Sequence, residues 1–182
     1  MKKPITSLFL LTSIILSAQS NSLSEESKII IKGITSTTEH FEKSRLNKVK
    51  IHIYEYNKKL YTYSTNKKGK FEIIIPENSY TVLEFEKENF ITKRFLFDTR
   101  TNSKTINIKP FNLEVIMLQN IDGIDYSDLD FPITRIEYNE KLQDFDFAPK
   151  YTEQMLKKQE KIILEQEKIL LETTEVSLRP IP

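Results

Sequence analysis

Short runs of alternating apolar and polar residues restrict this chain to a β-rich fold. In the clearest run, Phe71, Ile73 and Ile75 alternate with other residues directly after a turn that contains Gly69. A period of two is typical of a strand that buries one face. Glycine and asparagine tolerate the positive φ of tight turns. We therefore predict that Asn66 and Gly69 close a hairpin between two strands.

Similar runs recur between residues 28 and 118, separated by turn residues at regular spacing. They number about seven, and this spacing is typical of an antiparallel β-sandwich. Residues 36–47 show no period and are predicted to form a surface loop. The fold prediction is therefore a mainly β, seven-stranded antiparallel sandwich over residues 28–118.

The turn also carries a family resemblance. Thr65, Asn66, Gly69 and Phe71 resemble the T-D-x-x-G-x-F segment of carboxypeptidase regulatory-like (transthyretin-like) domains, with asparagine in place of aspartate. Asn89 stands where that family has a turn glycine, and it is expected to adopt positive φ. The resemblance implies a transthyretin-like sandwich that serves as an accessory module of the bacterial cell envelope.

The N-terminus indicates export. Lys2 and Lys3 precede an apolar run, and small residues up to Ala18 offer a cleavage site, which is the pattern of a signal peptide over residues 1–18. The run is too short to span a bilayer, so no transmembrane segment is expected in the mature chain. Residues 19–27 are polar and are predicted to form a flexible leader.

Charge and cysteine content exclude several functions. Without Lys2 and Lys3 the 27 basic residues fall to 25 against 26 acidic ones, a formal net charge of −1. Nucleic-acid binding would require a clear basic excess, so no nucleic-acid partner is predicted. The chain has no cysteine. This excludes disulfides, thiol catalysis, thiolate metal sites and a lipid on an N-terminal cysteine.

No motif predicts catalysis, a metal or a cofactor. His52 and Glu55 have the His-x-x-Glu spacing of a zinc site, but residues three apart on a strand point to opposite faces. His52 is therefore expected to be an ordinary, half-exposed strand residue. The aspartates between Asp122 and Asp130 do not match a calcium-loop spacing, so a solvated acidic loop is the favoured interpretation.

The C-terminal third changes character. Residues 119–149 mix aspartates with aromatic residues and are predicted to form a linker that is mainly loop, with a candidate strand at residues 133–138. Residues 150–173 are predicted to form an amphipathic helix and residues 174–182 a tail. The helix carries an apolar stripe that we predict to bind a partner: Met155, Leu156, Ile162, Ile163, Ile169 and Leu170.

The stripe could instead pack on its own sheet. Gln159 and Gln166 near its centre favour the partner interpretation, because an unpaired amide is costly in a dry core.

These features together predict a non-catalytic, exported binding or assembly module of the periplasm or cell surface. Its partner would be an envelope protein, or a second copy through the C-terminal helix. A carbohydrate-binding module is an alternative that requires exposed aromatics such as Tyr54, Tyr61 and Tyr63 on one sheet face. A hydrolase built on paired carboxylates is the other alternative, and it requires acids of raised pKa in a deep pocket.

The export prediction can be tested directly. We expect the mature chain to begin at Gln19, because Ala18 ends the small-residue cleavage site. An intact-mass measurement on the exported protein checks this expectation. A mature chain that retains residues 1–18 would contradict it.

Overall fold

The structure, a computed structural model, describes residues 28–39, 42–101 and 109–177. These residues form a mainly β protein with two sheets and one C-terminal helix. Residues 1–18 and 19–27, and the last five residues of the predicted tail, lie outside the described part. The elements are β1 (Lys28–Glu39), β2 (Glu42–Arg45), β3 (Lys50–Glu55), β4 (Lys58–Ser64), β5 (Lys70–Pro76), β6 (Tyr80–Glu86), β7 (Lys93–Asp98), β8 (Phe111–Met117), β9 (Thr134–Asn139), β10 (Asp144–Phe147), a 3₁₀ turn (Ser127–Leu129) and the helix α1 (Pro149–Ser177).

The ten strands divide unequally between the two sheets. Sheet 1 has four strands: β1 pairs with β2 and β5 antiparallel and with β8 in parallel. Sheet 2 has six, in the order β10-β9-β7-β6-β3-β4. The β7–β9 pair is also parallel. The prediction of seven antiparallel strands is therefore wrong in number and in these two pairings, because β8 and β9 each join their sheet beside a strand distant in sequence.

The turn at Gly69 is a corner between the sheets and not a hairpin. β4, which precedes it, pairs with β3 in sheet 2, whereas β5, which follows it, pairs with β1 in sheet 1. Gly69 has φ 70°, as predicted. Asn66 does not have positive φ; its Oδ1 instead accepts hydrogen bonds from the backbone N–H groups of Lys68 (2.9 Å) and Lys70 (3.0 Å). Asn89 has φ 66°, which confirms the expectation for that turn.

The apolar faces of the two sheets enclose one core. Phe71 of β5 is 8% exposed, and its ring lies 5.4 Å from that of Phe85 in sheet 2. This burial confirms the strand register predicted from the alternation. Gly33 of β1 lies under the same ring, and a Cβ at that position would collide with Phe71 and with the carbonyl oxygen of Leu113. The small residue therefore allows the aromatic ring to pack flat against β1.

Two segments predicted mainly as loop contain strands. Residues 36–47, predicted as a loop, contain the end of β1 and the whole of β2, which pair with each other. In the linker of residues 119–149, the candidate strand at residues 133–138 is present as β9, whereas β10 forms in a part predicted as loop and extends sheet 2 further. The segment that follows β8 is thus part of the folded body.

The helix packs against its own protein. Met155 and Ile162 are 5% and 3% exposed, and the helix contacts β9 and the 3₁₀ turn. Gln166 is also buried, and its Nε2 donates hydrogen bonds to the backbone oxygen of Gln119 (2.7 Å) and the hydroxyl of Tyr126 (3.0 Å). A glutamine in the stripe is therefore compatible with packing of the helix on its own protein, because the fold supplies hydrogen-bond partners for the amide.

The helix α1 begins one residue before the predicted range of 150–173 and ends four residues after it. Glu153 and Lys157 form an exposed pair at 2.8 Å, and Lys168 and Glu172 lie 4.0 Å apart. Such surface pairs contribute little to stability. In the part of the chain that the structure describes, no helix is long and apolar enough to cross a membrane.

Phe71 should anchor the core. We expect Phe71→Ala to lower the free energy of unfolding by about 3–5 kcal/mol, the usual cost of removing a buried phenylalanine. Ile74 lies on the outer face of the same strand and is 46% exposed. Ile74→Ala is thus the matched control and should cost under about 1 kcal/mol. Urea denaturation measures both values, and equal effects would show that the strand register is wrong.

Helix packing makes a second prediction. Ile162→Ala should destabilise the protein by about 2–5 kcal/mol, because Ile162 is buried against the body. Leu164 lies two residues further along and is 60% exposed, so Leu164→Ala should change stability by less than about 0.5 kcal/mol. Thermal melts of the two variants test this. An Ile162→Ala protein that melts like the wild type would mean that the helix leaves the body in solution.

Candidate functional site

Strand β4 forms one end of sheet 2 and exposes aromatic side chains. Tyr61 and Tyr63 are 61% and 39% exposed. Their cross-strand partners on β3, Ile53 and Ile51, are at most 1% exposed. Directly paired residues share a face of a sheet. The two tyrosines therefore lie on the core-facing side of sheet 2, at a place that the core does not reach.

The unequal size of the sheets explains this exposure. Sheet 2 has six strands, whereas sheet 1 has four, one of which only extends the end of β1. The chain leaves β4 through the Gly69 corner and enters sheet 1 as β5, at the end of the strand order. Sheet 1 thus covers β3 but leaves the face of β4 open. We call the free edge of β4 together with Tyr61 and Tyr63 the tyrosine edge.

Basic residues surround the tyrosine edge. Lys58 and Lys59 begin β4 and are exposed, and Lys48 and Lys50 are exposed at the start of the neighbouring strand. The Nζ of Lys59 lies 5.3 Å from the ring centre of Tyr54, a cation–π contact on the outer face of the sheet. Glu55 is the cross-strand partner of Lys58, so the edge combines two exposed aromatic rings with lysines that have acidic neighbours on β3.

His52, the histidine with the His-x-x-Glu spacing, lies on the outer face of sheet 2. The Nε2 of His52 lies 2.7 Å from a carboxylate oxygen of Glu86, and its Nδ1 lies 2.9 Å from the hydroxyl of Thr62. His52 is 6% exposed, so the prediction of a half-exposed side chain is wrong: its two partners cover the ring. The hydrogen bond from His52 lowers the pKa of Glu86 below its ordinary value.

A second polar cluster on this outer face satisfies its own charges. Arg100 donates two hydrogen bonds to Asp98, at 2.8 and 2.9 Å, and Arg135 donates another at 3.0 Å. The guanidinium of Arg100 also stacks 4.4 Å from the ring centre of Tyr80. These bonds, chiefly those from Arg100, lower the pKa of Asp98. Because two guanidinium groups bind the carboxylate of Asp98, the cluster is suited to holding the end of β7 and not to proton transfer.

A cavity of about 640 Å³ lies on the outer face of sheet 1. Its charged side chains are largely paired: Lys32 lies 3.1 Å from Glu72, and Lys43 lies 2.5 Å from Glu114. Its walls are Lys32, Gly33, Ile34, Asn66, Lys70, Phe71, Glu72, Asn112, Leu113 and Glu114. The aromatic residue among these walls, Phe71, is 8% exposed.

The six residues of the predicted helix stripe do not share one environment. Met155 and Ile162 are buried, Ile163 and Ile169 are half-buried, and Leu156 and Leu170 are 51% and 52% exposed. Two exposed leucines were not included in the prediction: Leu164 and Leu171, at 60% and 67%. They lie to one side of the stripe, and their spacing of seven residues was a signal that could have identified them.

The acidic residues after β8 make local contacts. Asp125 accepts a hydrogen bond from the backbone N–H of Ser127 (2.9 Å), which lowers the pKa of its carboxyl, and Asp128 pairs with Lys158 of the helix (2.8 Å). Among the described residues, no group of three or more potential ligands converges on a point where a metal ion could bind.

One titratable side chain lies inside the core. Lys93 of β7 is 7% exposed, and its Nζ donates a hydrogen bond to the backbone oxygen of Ile116 in β8 (2.6 Å). Leu118, Leu129 and Ile133 close the small space beside it. Burial lowers the pKa of Lys93 to about 8, because removal from water disfavours the charged form. The amine joins the two sheets but reaches no surface.

No protein-family model and no curated protein matches the chain. Several solved structures are similar to parts of it, among them the following two. The TIE protein of Bacillus anthracis is 12% identical, with a TM-score of 0.37 over 50% of this chain and 18% of that one. The 3-chlorocatechol 1,2-dioxygenase of Rhodococcus opacus 1CP is also 12% identical, with a TM-score of 0.33 over 52% of this chain and 60% of that one. Likenesses this distant assign neither a family nor an activity.

Lys93 should make stability depend on pH. Its folded pKa of about 8 lies below the ordinary value of 10.5, so between these values the unfolded chain binds more protons. Stability should therefore rise as the pH increases from about 8 towards 10.5, by up to about 3 kcal/mol. Lys93→Met should remove that rise.

Urea denaturation of both proteins at pH values across this range measures the difference. The comparison between the wild type and Lys93→Met separates the effect of Lys93 from that of tyrosines, whose ordinary pKa of about 10 lies in the same pH range. Parallel pH profiles would contradict the assignment.

Proposed function

We propose that this chain is a non-catalytic, exported module of the cell envelope that binds a protein partner. The observation that carries the proposal is the tyrosine edge, where Tyr61 and Tyr63 are 61% and 39% exposed beside exposed lysines. Tyrosine supplies large contact area with little loss of side-chain freedom, and it is enriched in protein interfaces. The exposed leucines of the helix, Leu164 and Leu171, provide a second apolar contact.

The proposal extends to fold family and location. The two face-to-face sheets agree with a β-sandwich of the carboxypeptidase regulatory-like type, for which the turn from Thr65 to Phe71 and the positive φ of Asn89 are the local support. Such a domain in the periplasm or on the cell surface would act on another envelope protein. The signal-peptide pattern of residues 1–18 supports that location.

The pKa shifts of the carboxyl groups favour a binding function over hydrolysis. Among the described carboxyl groups, the resolved pKa shifts are downward: Glu86, Asp98, Asp125 and Glu153 are each held ionised by a hydrogen bond. A general acid requires the opposite shift. A hydrolase built on paired carboxylates is therefore the weaker candidate.

A carbohydrate ligand is the second candidate, because two exposed tyrosines on one face can stack against a sugar ring. The predicted third aromatic does not join them. Tyr54 lies on the outer face, where its hydroxyl donates to Glu84 (3.3 Å) and Lys59 stands over its ring. The charge around the two remaining tyrosines favours a protein over a neutral sugar.

Affinity capture tests the proposed function. The full-length protein should retain a partner from its own envelope fraction, and Tyr61→Ser/Tyr63→Ser should lose it. Tyr56→Ser is the matched control, since Tyr56 is 78% exposed in the turn before β4 and should leave capture unchanged. Treatment of the fraction with protease or with glycosidase identifies the ligand class. Capture that survives the double variant would contradict a partner site at the tyrosine edge.

A further inference from the structure

The two ends of sheet 2 differ in whether their backbone is covered. At one end, Asp144 and Asp146 of β10 turn back on their own strand. The carboxylate of each accepts the backbone N–H of the next residue, Phe145 or Phe147, at 2.8 Å. Inward-turned polar caps of this kind are one way in which proteins protect an edge strand from pairing with another chain.

β4, at the other end, has no such cap. Within the described residues, its ladder partner is β3 alone, and no side chain hydrogen-bonds to the backbone of residues 58–64 outside that ladder. β4 is seven residues long, compared with four for β10. An uncapped edge of this length can accept a further strand, with main-chain hydrogen bonds for affinity and side-chain contacts for specificity.

Charge indicates what the added strand would carry. Lys59 of β4 is exposed on the outer face of the sheet, where its Nζ lies over the ring of Tyr54, and Lys58 is exposed beside it at the start of the strand. Opposite charges on directly paired residues stabilise adjacent strands, and like charges destabilise them. The face that holds Tyr61 and Tyr63 requires apolar side chains next to it. Because successive residues of a strand alternate between faces, acidic and apolar residues should alternate in the partner.

We infer that β4 accepts an extended segment of a partner protein, in which acidic and apolar residues alternate, as a seventh strand of sheet 2. This inference rests on the proposed function and specifies how the partner is held. A second copy of the chain fits less well. Its own β4 carries the same lysines, and the N–H groups of its acidic strand β10 are already occupied by Asp144 and Asp146.

Synthetic peptides test the inference on the full-length protein. The probe is a peptide of about eight residues, a common strand length, in which glutamate and valine alternate. Its control alternates lysine and valine. We expect the acidic peptide to bind and the basic one not to bind, with affinity falling as salt is added. Lys58→Glu/Lys59→Glu should weaken binding by about tenfold, Tyr61→Ser/Tyr63→Ser should abolish it, and Tyr56→Ser should have no effect.

Two further measurements separate strand addition from simple surface contact. Hydrogen exchange of the β4 amides should slow when the acidic peptide binds, whereas the β10 amides should not change. Two N-methylated forms of the peptide, blocked at odd or at even amides, should differ, because only one set of amides faces β4. Equal loss in both forms, or binding without slower exchange in β4, overturns the inference.

A failure of strand addition can be distinguished from a failure of the proposed function. If the envelope partner is captured through Tyr61 and Tyr63 but the acidic peptide does not bind, strand addition is wrong and the binding module stands. Self-association that Lys58→Glu/Lys59→Glu strengthens would identify a second copy as the occupant and would also overturn the inference. Capture of a glycosidase-sensitive ligand would overturn both proposals.

Discussion

The fold depends on a polar junction where three parts of the chain meet. The backbone N–H of Thr35 donates to the carbonyl of Gly69 (2.8 Å), and the carbonyl of Thr35 accepts from the N–H of Leu46 (3.0 Å). Thr65 adds a bond from its hydroxyl to the carbonyl of Leu46 (3.2 Å). A Cβ on Gly69 would approach the oxygen of Thr35 to 2.6 Å. Glycine is therefore required at this junction for close approach as well as for its positive φ.

This junction explains why the candidate site exists. It turns the chain out of sheet 2 after β4 and fixes β5 beside β1 in sheet 1, so the two consecutive strands end in different layers. A hairpin at Gly69 would have paired β5 with β4 and closed the edge. The corner leaves β4 without an outer neighbour among the described residues and leaves Tyr61 and Tyr63 beyond the cover of sheet 1. The surface is a consequence of topology and not of a local motif.

Local pattern predicted the faces of the strands but not their partners. Alternation placed Phe71 in the core, and the family resemblance placed Asn89 in a positive-φ turn, because both properties depend on neighbours in sequence. The Gly69 corner could not be predicted in this way, since a turn has similar residues whether the next strand joins the same sheet or the other sheet. The burial of His52 depends on Glu86, 34 residues away. In β10, aspartate and phenylalanine do alternate, and the acidity of the segment concealed that signal.

A glutamine in the helix stripe is compatible with two interpretations, partner binding and packing on the protein itself. A buried amide is unfavourable only while it lacks a partner, and Gln166 finds two in residues that precede β9. Its bonds connect the helix to the segment whose Leu129 closes the space beside Lys93. The helix, this segment and β9 therefore form one cover over the β7 side of the protein. That cover stabilises the side of sheet 2 remote from β4, so the two ends of one sheet differ: the helix and its neighbours cover one, and the tyrosines of the other are exposed.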